Sequence, residues 1–160
     1  MNYHKPPGIR LLYIICLFAS FSLEAQVKAP IREPDYNKPK LFNTLPATML
    51  ANKQDLLNIL SPSSRKDQEI QLPLANGKSN PFTGKIAYAY QDDQQLRTVT
   101  IQSTNFNGAL LTLSSITNAD GTVSLTGRIF SYQHGDAFEL QEKNNQYTWV
   151  KKNLYEMMTE

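Results

Sequence analysis

From about Glu69 to the end of the chain, apolar and polar residues alternate with a period of two, and short clusters of Asn, Asp and Gly interrupt them. Alternation places successive side chains on opposite faces of a strand, so this stretch predicts an antiparallel all-β region with turns every ~8–12 residues. In Lys85 to Gln91 (KIAYAYQ), strict alternation puts Ile86, Tyr88 and Tyr90 on one face and Ala87 and Ala89 on the other. Arg97 to Ser103 points Val99 and Ile101 inward and Thr98, Thr100 and Gln102 outward. Asn105-Phe106-Asn107-Gly108 reads as a hairpin turn, because Asn-Gly tolerates the positive backbone angles such turns require. Ala109, Leu111 and Leu113 continue on the return strand, and Asn118 to Gly121 turns the chain again.

Thr122 to Tyr132 predicts a longer strand interrupted by Gly127, where a glycine signals a bulge, a bend or the close approach of another backbone. His134-Gly135 turns into Asp136 to Gln141, and Asn144-Asn145 turns into Gln146 to Lys152, with Tyr147 and Trp149 on one face. Asn153 with Glu156 three places on forms a capping box for a short terminal helix carrying Met157 and Met158. Short turns make sequence neighbours pair in space. The fold expected is mainly β, a curled antiparallel meander sheet or small barrel of six to seven strands, preceded by one amphipathic helix and followed by a short one.

The preceding helix is expected over residues 44–61. Thr44 would cap it, Pro46 suits its first turn, and Ser61-Pro62 would stop it. Met49, Lys53, Leu56, Leu57 and Leu60 recur at steps of three and four, which gives one apolar face to lie on the sheet. Residues 26–43 hold several prolines and lysines among few apolar residues, a semi-rigid tether or a strap lying on the domain, with Tyr36 and Phe42 as its anchors if it docks. Residues 44–160 then form one β-rich domain.

Residues 1–25 read as a signal peptide. A basic start is followed by the apolar run Leu11 to Leu23, whose length suits the ~7–15 residues of a signal core and is short of the ~20 residues that span a bilayer. Cleavage is expected after Ala25, giving a secreted or periplasmic protein with no membrane span. Cys16 follows Ile15 inside the apolar run, where a lipoprotein would place a small residue, so the protein is not expected to be a lipoprotein. Removal of the signal leaves no cysteine, hence neither a disulfide framework nor a thiolate zinc site.

A formal charge of +2 over 160 residues argues against nucleic acid as a partner. Candidate chemistry is thin. His134 and Asp136 could be imagined to activate Ser131 or Ser124, yet residues flanking one glycine at a turn mostly diverge, and a shaped turn is the expectation. Asp92-Asp93 and Asn118 to Asp120 lack the spacing of a calcium loop, and Asp55, Asp67 and Glu69 make no paired-carboxylate pattern. No catalytic residue, metal or cofactor is expected.

Aromatic side chains concentrate in the β region. Most should fill the core, but Tyr88, Tyr90, Tyr147 and Trp149 have polar tips that would suit one ligand-facing groove. The run from Gly108 to Glu160, with the segments TGRI, HGD and KKN-Y, resembles an uncharacterised module in secreted proteins of Bacteroidota-type bacteria. That resemblance implies export and occurrence within larger exported proteins, and no activity. The expected function is that of an exported, non-enzymatic β-domain that binds a protein or cell-surface component. The alternatives are a lipocalin-like carrier of a small apolar ligand and an accessory or inhibitory module of an exported hydrolase. A pocket lined by these tyrosines and Trp149 would favour the carrier, and a filled sheet with an exposed apolar patch would favour a protein partner.

Overall fold

Paired Asn residues and single glycines set the hairpins. Asn144 and Asn145 both adopt positive φ (51° and 63°) and join two strands with Lys143 opposite Gln146, the geometry of a two-residue turn matched to strand twist. Gly108 and Gly121 take φ of 68° and 80° at two further predicted turns, whereas Gly135, at the His134-Gly135 turn, does not adopt a positive φ. The computed structural model describes residues 35–74, 81–92 and 95–158. The signal segment, its cut site, Cys16 and the first part of the tether lie outside the described residues.

The strands are β1 (Thr48–Ala51), β2 (Glu69–Leu72), β3 (Phe82–Asp92), β4 (Leu96–Ser103), β5 (Leu110–Thr117), β6 (Val123–Phe130), β7 (Asp136–Lys143) and β8 (Gln146–Asn153). They form one antiparallel sheet in the order β1-β8-β7-β6-β5-β4-β3-β2, curled as a half-barrel. Helix α1 (Lys53–Ile59) connects β1 to the segment before β2, and α2 (Leu154–Met158) follows β8. The mainly β, antiparallel meander expectation therefore holds for β2 to β8.

Among the described residues the sheet has eight strands rather than six or seven, and the first helix is shorter than residues 44–61. Both differences have one cause. Thr48 to Ala51 pair with Val150 to Tyr147 along the free edge of β8, with Met49 buried and Thr48 and Leu50 exposed. Four residues can satisfy both a helical and a period-two pattern, and an open sheet edge decided for the strand. The helix begins only after Asn52, whose Oδ1 accepts the N–H groups of Gln54 and Asp55 at 2.8 and 3.4 Å.

The concave face is filled. Leu56, Ile59 and Leu60 of α1 and its exit lie over a core that includes Phe82, Ile86, Ile101, Leu113, Phe138, Tyr147 and Trp149. Residues 35–47 form a strap across one end of this core. Phe42 is fully buried between the rings of Phe106 and Phe138, at 5.4 and 5.3 Å. Tyr36 stays exposed and touches Tyr155. The buried carboxylate of Asp136 accepts the N–H groups of Leu41 (2.6 Å) and Phe42 (2.9 Å), and Lys151 Nζ donates to the carbonyls of Phe42 (2.7 Å) and Leu45 (2.6 Å). An acid and a base on neighbouring strands thus clasp the strap's backbone, which hydrogen-bonds to charge more strongly than to neutral groups.

Gly127 is a close approach and no bulge. The β5–β6 register runs through Leu113 opposite Gly127 without a shift. A side chain at Gly127 would stand 2.7 Å from Leu113 Cδ2 and 2.9 Å from Trp149 Cη2. From Val123 to this glycine β6 stands unpaired with β7: their pairing is confined to Arg128–Phe130 opposite Ala137–Glu139. On the outer face α2 covers a smaller cluster of Ala137, Leu154, Met157 and Phe130. No helix among the described residues is long and apolar enough to cross a membrane.

Candidate functional site: the outer face of the sheet

The four aromatic residues expected to share one groove are divided between the two faces. Tyr147 and Trp149 are 1% and 0% exposed in the concave core, whereas Tyr88 and Tyr90 are 55% and 43% exposed on the outside. The cause is a β-bulge. Ile86 pairs with Ile101, but the next matched pair is Tyr88 with Thr100, so Ala87 is an extra residue. One inserted residue reverses the phase of everything after it. Ile86 and Ala89 therefore face the core, and both tyrosines turn to solvent.

Their new neighbours are polar. Reading across the sheet, Tyr88 pairs with Thr100, Thr100 with Thr112, and Thr112 with Arg128, which pairs with Glu139. A parallel row runs from Tyr90 to Thr98, Ser114 and Thr126. Every one of these positions up to Arg128 ends in a hydroxyl group. The tyrosine rings lie parallel, 7° apart in plane and 6.3 Å between centroids. Thr98 Oγ1 is 2.8 Å from Ser114 Oγ, and Thr100 Oγ1 is 3.5 Å from Thr112 Oγ1. A hydroxyl offers one donor and two acceptor positions, so each such pair keeps capacity for a further partner.

The rows end in a shallow groove of about 480 Å³ where β6 and β7 separate. Thr112, Ser114 and Thr126 line it together with Arg128 and Glu139, and Phe130 and Leu140 add apolar surface. Arg128 Nη2 and Glu139 Oε1 are 4.0 Å apart, which sets guanidinium donors beside carboxylate acceptors at one place. The Thr hydroxyls are held by β-branched side chains with few rotamers, and Thr98, Thr100 and Thr112 stand on strands paired on both sides, so this part of the face is pre-arranged.

The HGD segment has a structural task. Ser131 is fully buried and its Oγ lies 2.9 Å from His134 Nδ1, while also accepting the N–H of Gln133 at 3.3 Å. Asp136 spends both carboxylate oxygens on the strap. A Cβ on Gly135 would meet the carbonyl oxygen of Lys38 at 3.0 Å, and the Gly135 N–H donates to the Pro39 carbonyl at 2.9 Å. Ser124 accepts from Asn118 Nδ2 at 3.0 Å, in the β5–β6 turn and away from His134. In the same turn the Asp120 carboxyl is held below the usual carboxylate range, chiefly by the Thr122 hydroxyl and then by its N–H. Among the described residues no three of His, Cys, Asp and Glu gather as metal ligands would.

Compared with family models, with curated proteins and with solved structures, the chain matches none.

Proposed function

We propose that the protein is an exported, non-enzymatic β-domain that acts by binding a protein or cell-surface component through the outer face of its sheet. The observation that carries this reading is the bulge at Ala87, which turns two large aromatic side chains out of the core and onto a rigid hydroxyl-bearing surface. Exposed aromatics on a rigid platform contribute contact area at a small entropic cost, which suits recognition better than folding.

The concave face supports the same reading. It is occupied by Trp149, Tyr147 and the strap residue Phe42, where a carrier would keep space for its ligand. The buried Ser131 and the engaged Asp136 supply no exposed nucleophile and base for catalysis. The N-terminal apolar segment supports export to the periplasm or medium.

Sedimentation of the purified protein with bacterial cell envelopes tests the reading. The wild-type protein should co-sediment, and the Tyr88→Ala/Tyr90→Ala variant should remain folded and stay in the supernatant. Equal sedimentation of both, or of neither, contradicts it.

A further inference from the structure

We infer that the hydroxyl rows bind a neutral polysaccharide chain, a step that rests on the outer-face reading above and names its ligand class. Three observations select this chemistry. First, the paired rows from Tyr88 and Tyr90 to Thr112 and Thr126 carry hydroxyl groups and no acid or amine, and of the ionic groups beside them among the described residues Arg128 is opposed by Glu139 and Lys85 by Glu69, with Asp92 at the outer end of β3. A polyanion such as nucleic acid or an acidic polymer would call for unopposed Lys or Arg. Second, the rows are hydroxylated rather than apolar, whereas the centre of a stable protein interface is typically apolar and aromatic. A sugar chain offers the matching surface: hydroxyls around each ring edge and C–H groups on each ring face.

Third, the groups are ordered along one path. The parallel rings of Tyr88 and Tyr90 provide aromatic faces for sugar C–H groups at one end. The Thr98–Ser114 and Thr100–Thr112 hydroxyl pairs follow. Arg128 and Glu139 stand at the groove, where a planar donor next to a planar acceptor can hold adjacent sugar hydroxyls in pairs. From β3 to β7 the path crosses four inter-strand steps of ~4.8 Å, roughly 19 Å, which is long enough for several sugar units. An extended chain lying across the strands meets each of these groups in turn.

The experiment is retention of the purified protein on insoluble cellulose, curdlan, xylan and mannan, with calcium alginate as the acidic control. At least one neutral polymer should retain the wild-type protein, equally in low salt and in about 1 M NaCl, because no net charge is involved. Tyr88→Ala should weaken retention by about tenfold or more, Tyr88→Phe should keep most of it, and Thr98→Val/Thr112→Val should weaken it about tenfold while preserving β-branched shape. Melting curves confirm that each variant is folded. Failure of all four neutral polymers to retain the protein, retention lost in salt, preference for alginate, or variants that bind as the wild type would each overturn the inference. Envelope binding separates this failure from failure of the wider reading. Binding destroyed by periodate supports a glycan. Binding that survives periodate and is destroyed by protease overturns the glycan and leaves the outer face as a protein-binding surface.

Discussion

The indole of Trp149 lies against Gly127, two strands away, in a space that a single methyl group would fill: a Cβ at Gly127 would be 2.9 Å from Trp149 Cη2. Gly127→Ala must push the indole, Leu113 or both, and overpacking of this kind costs about 1–3 kcal/mol. In a Trp149→Phe background the same change should cost less, since the smaller ring stops short of β6. Chemical denaturation of the two single variants and the double variant measures that coupling. Equal cost of Gly127→Ala in both backgrounds would show that the indole does not set the limit.

Trp149→Ala should cost about 3–5 kcal/mol, because the ring is fully buried at the centre of the concave face. Tyr88→Ala, on the outer face, should cost about 1 kcal/mol or less, the range of cross-strand pair effects. A thermal-melt comparison checks both. A nearly unchanged midpoint for Trp149→Ala would mean that the indole is not part of the core.

Much of the β architecture was legible. Asn-Gly and Asn-Asn turns flanked by alternating residues mark β4–β5 and β7–β8, because local backbone chemistry alone decides those hairpins. β1 was hidden, since its strand character comes from the edge of β8, a hundred residues later in the chain. The facing of Tyr88 and Tyr90 was hidden for a different reason. Ala87 and Ala89 are small enough for either face, so neither alanine marks the bulge. A signal did exist in Asp92, which shares the phase of Tyr88 and Tyr90 and would be costly to bury. The hydroxyl rows were invisible as a unit, because each Thr or Ser read singly is only a solvent-facing residue and the surface needs the registers of four strands.

Asp136→Ala should free the strap. Leu41 and Phe42 would lose the carboxylate that accepts both N–H groups, for about 3 kcal/mol, given that each bond to a charged acceptor contributes about 1.5–3 kcal/mol. Limited trypsin digestion gives the readout. Cleavage after Lys40 should be slow in the wild-type protein and fast in Asp136→Ala, with Asp136→Asn between them. Equal cleavage rates would show that the clasp does not hold the strap.

The Tyr147 hydroxyl donates to Glu142 Oε2 at 2.9 Å, and burial, followed by this partner, raises the phenol above its ordinary value near 10. The folded protein therefore keeps this proton when the unfolded chain has begun to lose it. Stability from this group is complete below pH ~10 and declines as pH rises through the raised value, by at most about 1.4 kcal/mol per pH unit. Urea titrations between neutrality and strongly alkaline pH should show a shallower decline for Tyr147→Phe. An identical alkaline slope in that variant would contradict the assignment.

Tyrosine nitration followed by peptide mass mapping tests the division between binding face and core most directly. In the free protein the exposed Tyr88 and Tyr90 should react together with Tyr36 and Tyr132, while the buried Tyr147 stays unmodified. When the protein is bound to cell envelopes, Tyr88 and Tyr90 should become protected and Tyr132 should remain reactive. Undiminished nitration of Tyr88 and Tyr90 in the bound state, or early nitration of Tyr147 in the free one, would contradict the account.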